Sequence, residues 1–257
     1  MNSIYSMHTD IGTVKTTNQD SMCVKEARTQ KGQILFAIVC DGMGGLEKGE
    51  VASATVIKAF SDWFERELPY QLAKQNYLDE IECQWDAMLK EQNQNIMNYG
   101  AANHIQLGTT FTALLMLENG KYLIGHVGDT RVYQLLDNQV NVLTEDQTVV
   151  QKEIREGRLT PEQAEVDPRR NVLLQCIGAS NVVEPAFYHG RATQGECYML
   201  CSDGFRHEIS VQEIWDGLSP LVNSYEEEMH MHLVSLVELC KSRGETDNIS
   251  AILIKTM

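Results

Sequence analysis

The chain has 257 residues, enough to bury a sizeable core as one large domain or two small ones. Its 43% hydrophobic and 22% charged content is ordinary for a globular protein in water, and no run approaches the roughly 20 apolar residues of a membrane helix. A net charge of −15 repels nucleic-acid phosphates and anionic lipid, which argues against both as partners.

Residues 1–12 lack a basic segment followed by an apolar one, so no signal peptide is expected. The seven cysteines are odd in number and irregularly spaced, with no C-x-x-C. A disulfide framework or a zinc cluster is therefore not expected. Cys40 and Cys201 sit in apolar runs and read as small core residues, which suits a reducing cytoplasm.

In chain order, the apolar run 34–40 predicts a strand. Residues 51–68 predict a helix, because Ile57, Phe60, Phe64 and Leu68 fall on one face and Pro69 stops the pattern. Residues 77–101 predict a second helix on the stripe Leu78, Ile81, Trp85 and Met88. Strands follow at 110–117, 122–127 and 131–136. The polar stretch 144–171 reads as a small helical excursion. Thr144 with Gln147 would cap a first short helix ending at Gly157, and Thr160, Pro161 and Gln163 would open a second. A strand at 197–201 precedes a helix at 225–243, whose stripe is Met229, Leu233, Leu236, Val237 and Cys240. Ser224 with Glu227 forms its expected capping box and Gly244 its stop. A last strand covers 249–254. Several strands are too apolar to have a wet face, so sheets with helices packed outside are expected.

The chemistry lies where apolar strands run into aspartate beside glycine. The run 34–40 leads into Asp41-Gly42-Met43-Gly44-Gly45, 122–127 into Gly128-Asp129, and 197–201 into Ser202-Asp203-Gly204. Residues 244–248, Gly-Glu-Thr-Asp-Asn, precede the last strand and contain Asp247. One Asp-Gly pair is a common turn. Four copies favour a shared cation site, with phosphate chemistry as the natural guess. Carboxylates, carbonyls and water are hard ligands suited to Mg²⁺ or Mn²⁺.

These segments resemble the metal-dependent protein phosphatases of the protein phosphatase 2C family, bacterial branch. The resemblance rests on residues 12–20 (Gly-Thr-Val-Lys-Thr-Thr-Asn-Gln-Asp), 41–45, 49–53 (Gly-Glu-Val-Ala-Ser) and 107–110 (Leu-Gly-Thr-Thr). It continues through 125–133 (Gly-His-Val-Gly-Asp-Thr-Arg-Val-Tyr), 143–146 (Leu-Thr-Glu-Asp), 200–204 (Leu-Cys-Ser-Asp-Gly) and 246–249 (Thr-Asp-Asn-Ile). It implies an α+β fold, a four-layer α-β-β-α sandwich of two antiparallel sheets flanked by helix pairs. It implies one phosphatase domain over 1–257 with a flap at about 145–171. The activity implied is hydrolysis of phosphoserine and phosphothreonine in proteins, by in-line attack of a water activated by two to three Mn²⁺ or Mg²⁺ ions.

By motif match, Asp41 would bridge two ions, the Gly42 carbonyl would bind one, and Asp203 and Asp247 would hold the second. Asp129, with Asp203, would bind a third, and Asp20 would act through water. Asp41, Asp203 and Asp247 are thus the expected catalytic set. Lys15 stands where the family usually has a phosphate-gripping arginine, and keeps the charge but not the two-pronged geometry. Met43 replaces a histidine of eukaryotic relatives, and Gln147 replaces a histidine after Leu-Thr-Glu-Asp. His126 reads as packing, Asn248 as a loop clamp, Arg131 as a counter-charge, and Thr109 and Thr110 as strand residues or neighbours of the centre. The flap charges Lys152, Arg155, Arg158, Arg169 and Arg170 are either a solvated surface or a dock for phosphorylated proteins. Those proteins would be targets of a cognate serine/threonine kinase, or the kinase itself. A monomer is expected. The rival readings are a pseudophosphatase that binds without hydrolysing and a small-molecule phosphatase on the same scaffold.

Overall fold

The computed structural model describes residues 1–43 and 48–257; Gly44 and Gly45 of the Asp41 motif lie outside the described residues. Strands β1 (Ser3–Asp10), β2 (Ser21–Thr29) and β3 (Gly32–Cys40) precede helices α1 (Gly49–Arg66), α2 (Leu68–Gln71) and α3 (Tyr77–Asn103). Then come β4 (Phe111–Met116), β5 (Lys121–Val127), β6 (Arg131–Leu135) and β7 (Val140–Val142). Helices α4 (Val149–Arg155) and α5 (Pro161–Glu165) follow, then β8 (Ala186–Arg191) and β9 (Cys197–Cys201). A 3₁₀ turn at Asp203–Phe205, α6 (Val211–Leu218), α7 (Glu226–Ser242) and β10 (Ile249–Thr256) complete the chain.

The strands form two antiparallel sheets, in the orders β1-β10-β9-β6-β7 and β2-β3-β4-β5-β8. The period-2 alternation of each central strand explains the layers. On β3, Leu35, Ala37 and Val39 face the other sheet, packing with Leu200, Ile252 and Ile254. Ile34, Phe36, Ile38 and Cys40 face outward onto α1 and α3. On β10, Ile249, Ala251 and Leu253 face Met229, Leu233 and Val237 of α7. The result is the expected four-layer α-β-β-α sandwich. Each large side chain so buried contributes about 1.5–3 kcal/mol. The aromatic knot under α1 and α3, with Phe60 and Phe111 at 4.5 Å between centroids, adds directional packing.

Register then places the chemistry. Ser21 pairs with Cys40, Phe111 with Val127, Arg131 and Ala251 with Cys201, and Asp10 with Ile249. The C-terminal ends of β1, β3, β5 and β9 and the N-terminal ends of β2, β6 and β10 therefore lie at one end of the sandwich. Loop 11–20 crosses from the first sheet to the second at that end.

Three local expectations are corrected. Thr144 does not cap a helix: its hydroxyl accepts the Val132 N–H at 3.1 Å, and Thr148 caps α4 by accepting from Gln151. Ser224 and Glu227 form no capping box; Tyr225 is the cap residue of α7, and Glu228 reaches back to the Ser224 N–H at 2.8 Å. Pro69 does more than end a helix, since it sits in the first turn of α2. The capping box of Thr160 and Gln163 is formed, and Gly244 adopts a φ of +98° beyond α7.

Candidate metal centre

Asp41 directly follows β3, Asp129 follows β5, Asp203 follows β9, and Asp20 and Asp247 precede β2 and β10. The fold thus gathers all five predicted aspartates at one end of the sandwich. Asp129 is buried, and the other four are half-buried.

The backbone of Asp41 is clamped. Its N–H donates to the Thr110 hydroxyl at 2.9 Å, and its carbonyl accepts from the Thr110 N–H and the Thr109 hydroxyl, both at 2.8 Å. Met43 N–H donates to the Gly108 carbonyl at 3.0 Å. This pairing uses the carbonyl of Asp41 and not that of Gly42. Thr109 and Thr110 are therefore supports of the centre. Gly42 has no room for a side chain: a Cβ there would lie 2.3 Å from the Gln19 carbonyl and 2.6 Å from Gly49.

Asn248 ties the Asp247 turn to loop 11–20. Its side chain accepts the Gln19 N–H at 2.8 Å and donates to the Ile11 carbonyl at 2.9 Å. Ser53 on α1 donates to the Gln19 carbonyl at 2.7 Å, so the helix braces the same loop. Gly12 has φ +79°, and a Cβ there would fall 2.2 Å from the Asp247 carbonyl oxygen. Lys15, carried by this loop, places Nζ 2.9 Å from Asp247 Oδ1.

Burial, reinforced by crowding of like charge, dominates the electrostatics. Burial, and then repulsion from Asp20, Asp203, Asp129 and Asp247, holds the Asp41 carboxyl well above its ordinary range. Burial pushes Asp20 up to about 7 against the pull of the Ser250 and Ser202 hydroxyls, with Asp203 and Asp247 adding to the rise. Burial and then Asp203 push Asp129 up to about 7 as well, opposed by Arg206. Among the described residues, Asp20 Oδ2 and Asp203 Oδ1 are buried with no hydrogen-bond donor. Buried anionic oxygens without donors are costly, and a hard divalent cation satisfies that demand. The donor chemistry therefore fits Mg²⁺ or Mn²⁺. Among the described residues no three acidic, histidine or cysteine side chains close into a ready ligand cage.

Three residues at the site were not singled out by their sequence pattern. His207 lies with Nε2 3.5 Å from Asp203 Oδ2 and Nδ1 3.3 Å from Glu245 Oε2. Burial disfavours its charge, but Glu245 and Asp203 outweigh it and raise its pKa. Glu245 Oε1 accepts the N–H groups of Thr246 and Asp247 at 2.6 and 2.8 Å, fixing the Asp247 turn. Arg206 reaches Asp129 and Asp146. The signal available was proximity: Arg206 and His207 follow Asp203-Gly204-Phe205, and Glu245 stands two residues before Asp247.

The remaining sequence readings are placed as follows. His126 is buried between Thr112 and the Glu145 carbonyl, a packing role. Arg131 forms two 2.7 Å hydrogen bonds to Asp146. Gln147 Oε1 accepts the Gly128 N–H at 2.9 Å and a Gln175 N–H at 2.8 Å, tying the Asp129 turn to the flap region. Within the flap, Arg158 is paired with Glu153 and Glu156, and Arg169 with Asp167. Arg155 lies 3.8 Å from Glu145. Among the described residues, Lys152 and Arg170 have no ion-pair partner.

Fold and site define the class: a four-layer α-β-β-α sandwich with a candidate metal centre at one end of its sheets. The family model for protein phosphatase 2C matches residues 12–238. The chain is 32% identical to the serine/threonine protein phosphatase PstP of Mycobacterium tuberculosis, over 96% of this chain and 44% of that protein. It is 30% identical to a putative protein phosphatase 2C-type protein of Streptococcus pyogenes, over 97% of this chain and 96% of that one. It also superposes on the catalytic domain of PstP solved with two manganese ions, with TM-score 0.79, 29% identity and coverage of 99% and 98%. The chain belongs to the protein phosphatase 2C family. It spans less than half the length of PstP.

Among the described residues no helix is long and apolar enough to cross a membrane.

Proposed function

We propose that this chain is a metal-dependent phosphatase that hydrolyses phosphoserine and phosphothreonine in proteins. The observation that carries this reading is the convergence of Asp20, Asp41, Asp203 and Asp247 at one end of the sandwich, with buried oxygens on Asp20 and Asp203 that have no donor among the described residues. Asp41, the Gly42 carbonyl, Asp203 and Asp247 would hold two divalent ions, and Asp20 would act through water. Asp41, Asp203 and Asp247 are the catalytic set. Bound there, Mn²⁺ or Mg²⁺ supplies Lewis acidity toward phosphoryl oxygens and lowers the pKa of water.

The chain's own residues do the rest. Thr109 and Thr110 fix Asp41, while Glu245 and Asn248 fix the Asp247 turn. Lys15, on the crossing loop, offers a cation to the substrate phosphate beside Asp247. The flap cations Lys152 and Arg170, without an ion-pair partner among the described residues, are the natural contacts for a phosphorylated protein.

The reading extends to one phosphatase domain over 1–257, with 145–171 as its flap, working as a monomer. Pairing of Ser3 with Thr256 in one sheet supports the single domain. Substrates are targets of a cognate serine/threonine kinase, and the kinase itself. Seven free thiols, five of them buried, suit a cytoplasmic setting.

The test is hydrolysis of a phosphothreonine peptide and of a small aryl phosphate, each with Mn²⁺, Mg²⁺ or EDTA. We expect both to be cleaved with a divalent ion and neither in EDTA. Binding of the peptide without cleavage would make the chain a pseudophosphatase. Cleavage of the aryl phosphate alone would make it a small-molecule phosphatase.

A further inference from the structure

The structure assigns Arg206 the part of a built-in cation on the Asp129 side of the acidic cluster, so that divalent ions are confined to the side formed by Asp20, Asp41, Asp203 and Asp247. The inference rests on the metal-centre reading above, and it replaces a third ion at Asp129 with a side chain of the protein.

Arg206 belongs to the turn that presents Asp203, and its N–H donates to the Asp203 carbonyl at 2.9 Å. Its side chain leaves that turn toward Asp129, where Nη2 donates to the Asp129 carbonyl at 3.1 Å and lies 3.6 Å from Asp129 Oδ2. The same nitrogen is 3.4 Å from Asp146 Oδ2. Only 13% of the Arg206 side chain and 8% of the Asp129 side chain are exposed. Water therefore screens the pair poorly.

Asp146 cannot swing away to release Arg206. Arg131 holds it by two 2.7 Å hydrogen bonds in the forked geometry that guanidinium and carboxylate share. Asp129 and Asp146 thus face Arg131 and Arg206, two carboxyl groups against two guanidinium groups. A divalent ion added at Asp129 would meet a fixed guanidinium within a few ångströms, at a cost in like-charge repulsion. Arg206 Nε is buried without an acceptor among the described residues, so charge, and not a full set of hydrogen bonds, keeps the side chain there. A guanidinium does not deprotonate in proteins. Chelators therefore cannot remove this cation.

The test counts Mn²⁺ bound per chain by titration with electron paramagnetic resonance of the free ion, with thermal unfolding as the check on folding. Wild type is expected to bind two equivalents. Arg206→Ser should bind a third, and adding Asp129→Asn to that variant should remove it. Arg206→Lys, which keeps the charge, should stay at two. A third equivalent in wild type that Asp129→Asn abolishes would overturn the inference, and so would a folded Arg206→Ser protein that gains no site. If Arg206→Ser does not fold, the wild-type count and the Asp129→Asn variant decide. Wild type that binds no Mn²⁺ would sink the metal-centre reading; the Arg206 assignment would survive only if Arg206→Ser then gained an equivalent.

Discussion

His126 offers a quantitative test of how the site end of the sandwich is built. The side chain is buried between β4 and the flap entrance. Its Nδ1 accepts from the Thr112 hydroxyl at 2.8 Å, and its Nε2 donates to the Glu145 carbonyl at 3.1 Å. Burial lowers its pKa from 6.5 to about 4; Asp146 favours the charged ring and Arg131 opposes it. In the folded chain the imidazole stays neutral where the unfolded chain takes up a proton. Stability from this group is full above the unfolded value and is lost as pH falls through 6.5 toward about 4. Each pH unit in that window costs about 1.4 kcal/mol, so the loss reaches about 2 kcal/mol near pH 5 and about 3 kcal/mol in all. His126→Gln keeps a donor and an acceptor but cannot ionise. Urea unfolding of both proteins at about pH 7.5 and about pH 5 isolates the contribution as a difference. Wild type should lose about 2 kcal/mol more than the variant. Parallel losses would refute a buried neutral His126.

Other perturbations test the supports of the centre. Gly12→Ala should lower Tm and weaken Mn²⁺ binding, because the backbone is left-handed there and the added Cβ meets the Asp247 carbonyl; the conformational part alone is about 1–2 kcal/mol. An unchanged Tm would count against that packing. Thr110→Val strands the Asp41 N–H and should cost about 1–3 kcal/mol, read by thermal unfolding. Thr110→Ser, which restores the oxygen, should recover most of the loss. Lys15→Arg should change KM or kcat for a phosphopeptide, since a planar fork replaces a point charge on the phosphate. Identical constants would remove Lys15 from phosphate contact.

The sequence carried the central strands and long helices well, because their burial is continuous or periodic. Residues 197–201 and the stripe of α7 are found where the pattern put them. Strands β1, β2, β7 and β8 were not legible. Residues such as Ser3, His8, Lys25 and His189 break the apolar alternation there, and partial burial persists along β1 and β8. These strands are defined by pairing with distant partners, as β1 is by β10. Caps failed for a related reason. Thr144 and Ser224 match the local rule, but Thr144 is drawn into the β6 ladder and Glu228 outcompetes Glu227 for the start of α7. The helix α6 opens on a local signal of its own, the Ser210–Glu213 capping box.

At the site, Asp-Gly turns after apolar strands pointed to the aspartates, and antiparallel register explains why they meet. The roles of Arg206, His207 and Glu245 depend on partners far along the chain, which spacing cannot show. Arg206 meets Asp129 across 77 residues.

The most direct measurement of the central claim is the rate of phosphothreonine-peptide hydrolysis by wild type and Asp203→Asn, in saturating Mn²⁺ and in EDTA. Loss of a preorganised electrostatic stabiliser typically costs 10²–10³ in rate, so Asp203→Asn should lose at least about 100-fold. EDTA should silence the wild type. Hydrolysis that survives EDTA, or an Asp203→Asn enzyme as fast as wild type, would contradict a metal centre built on these aspartates.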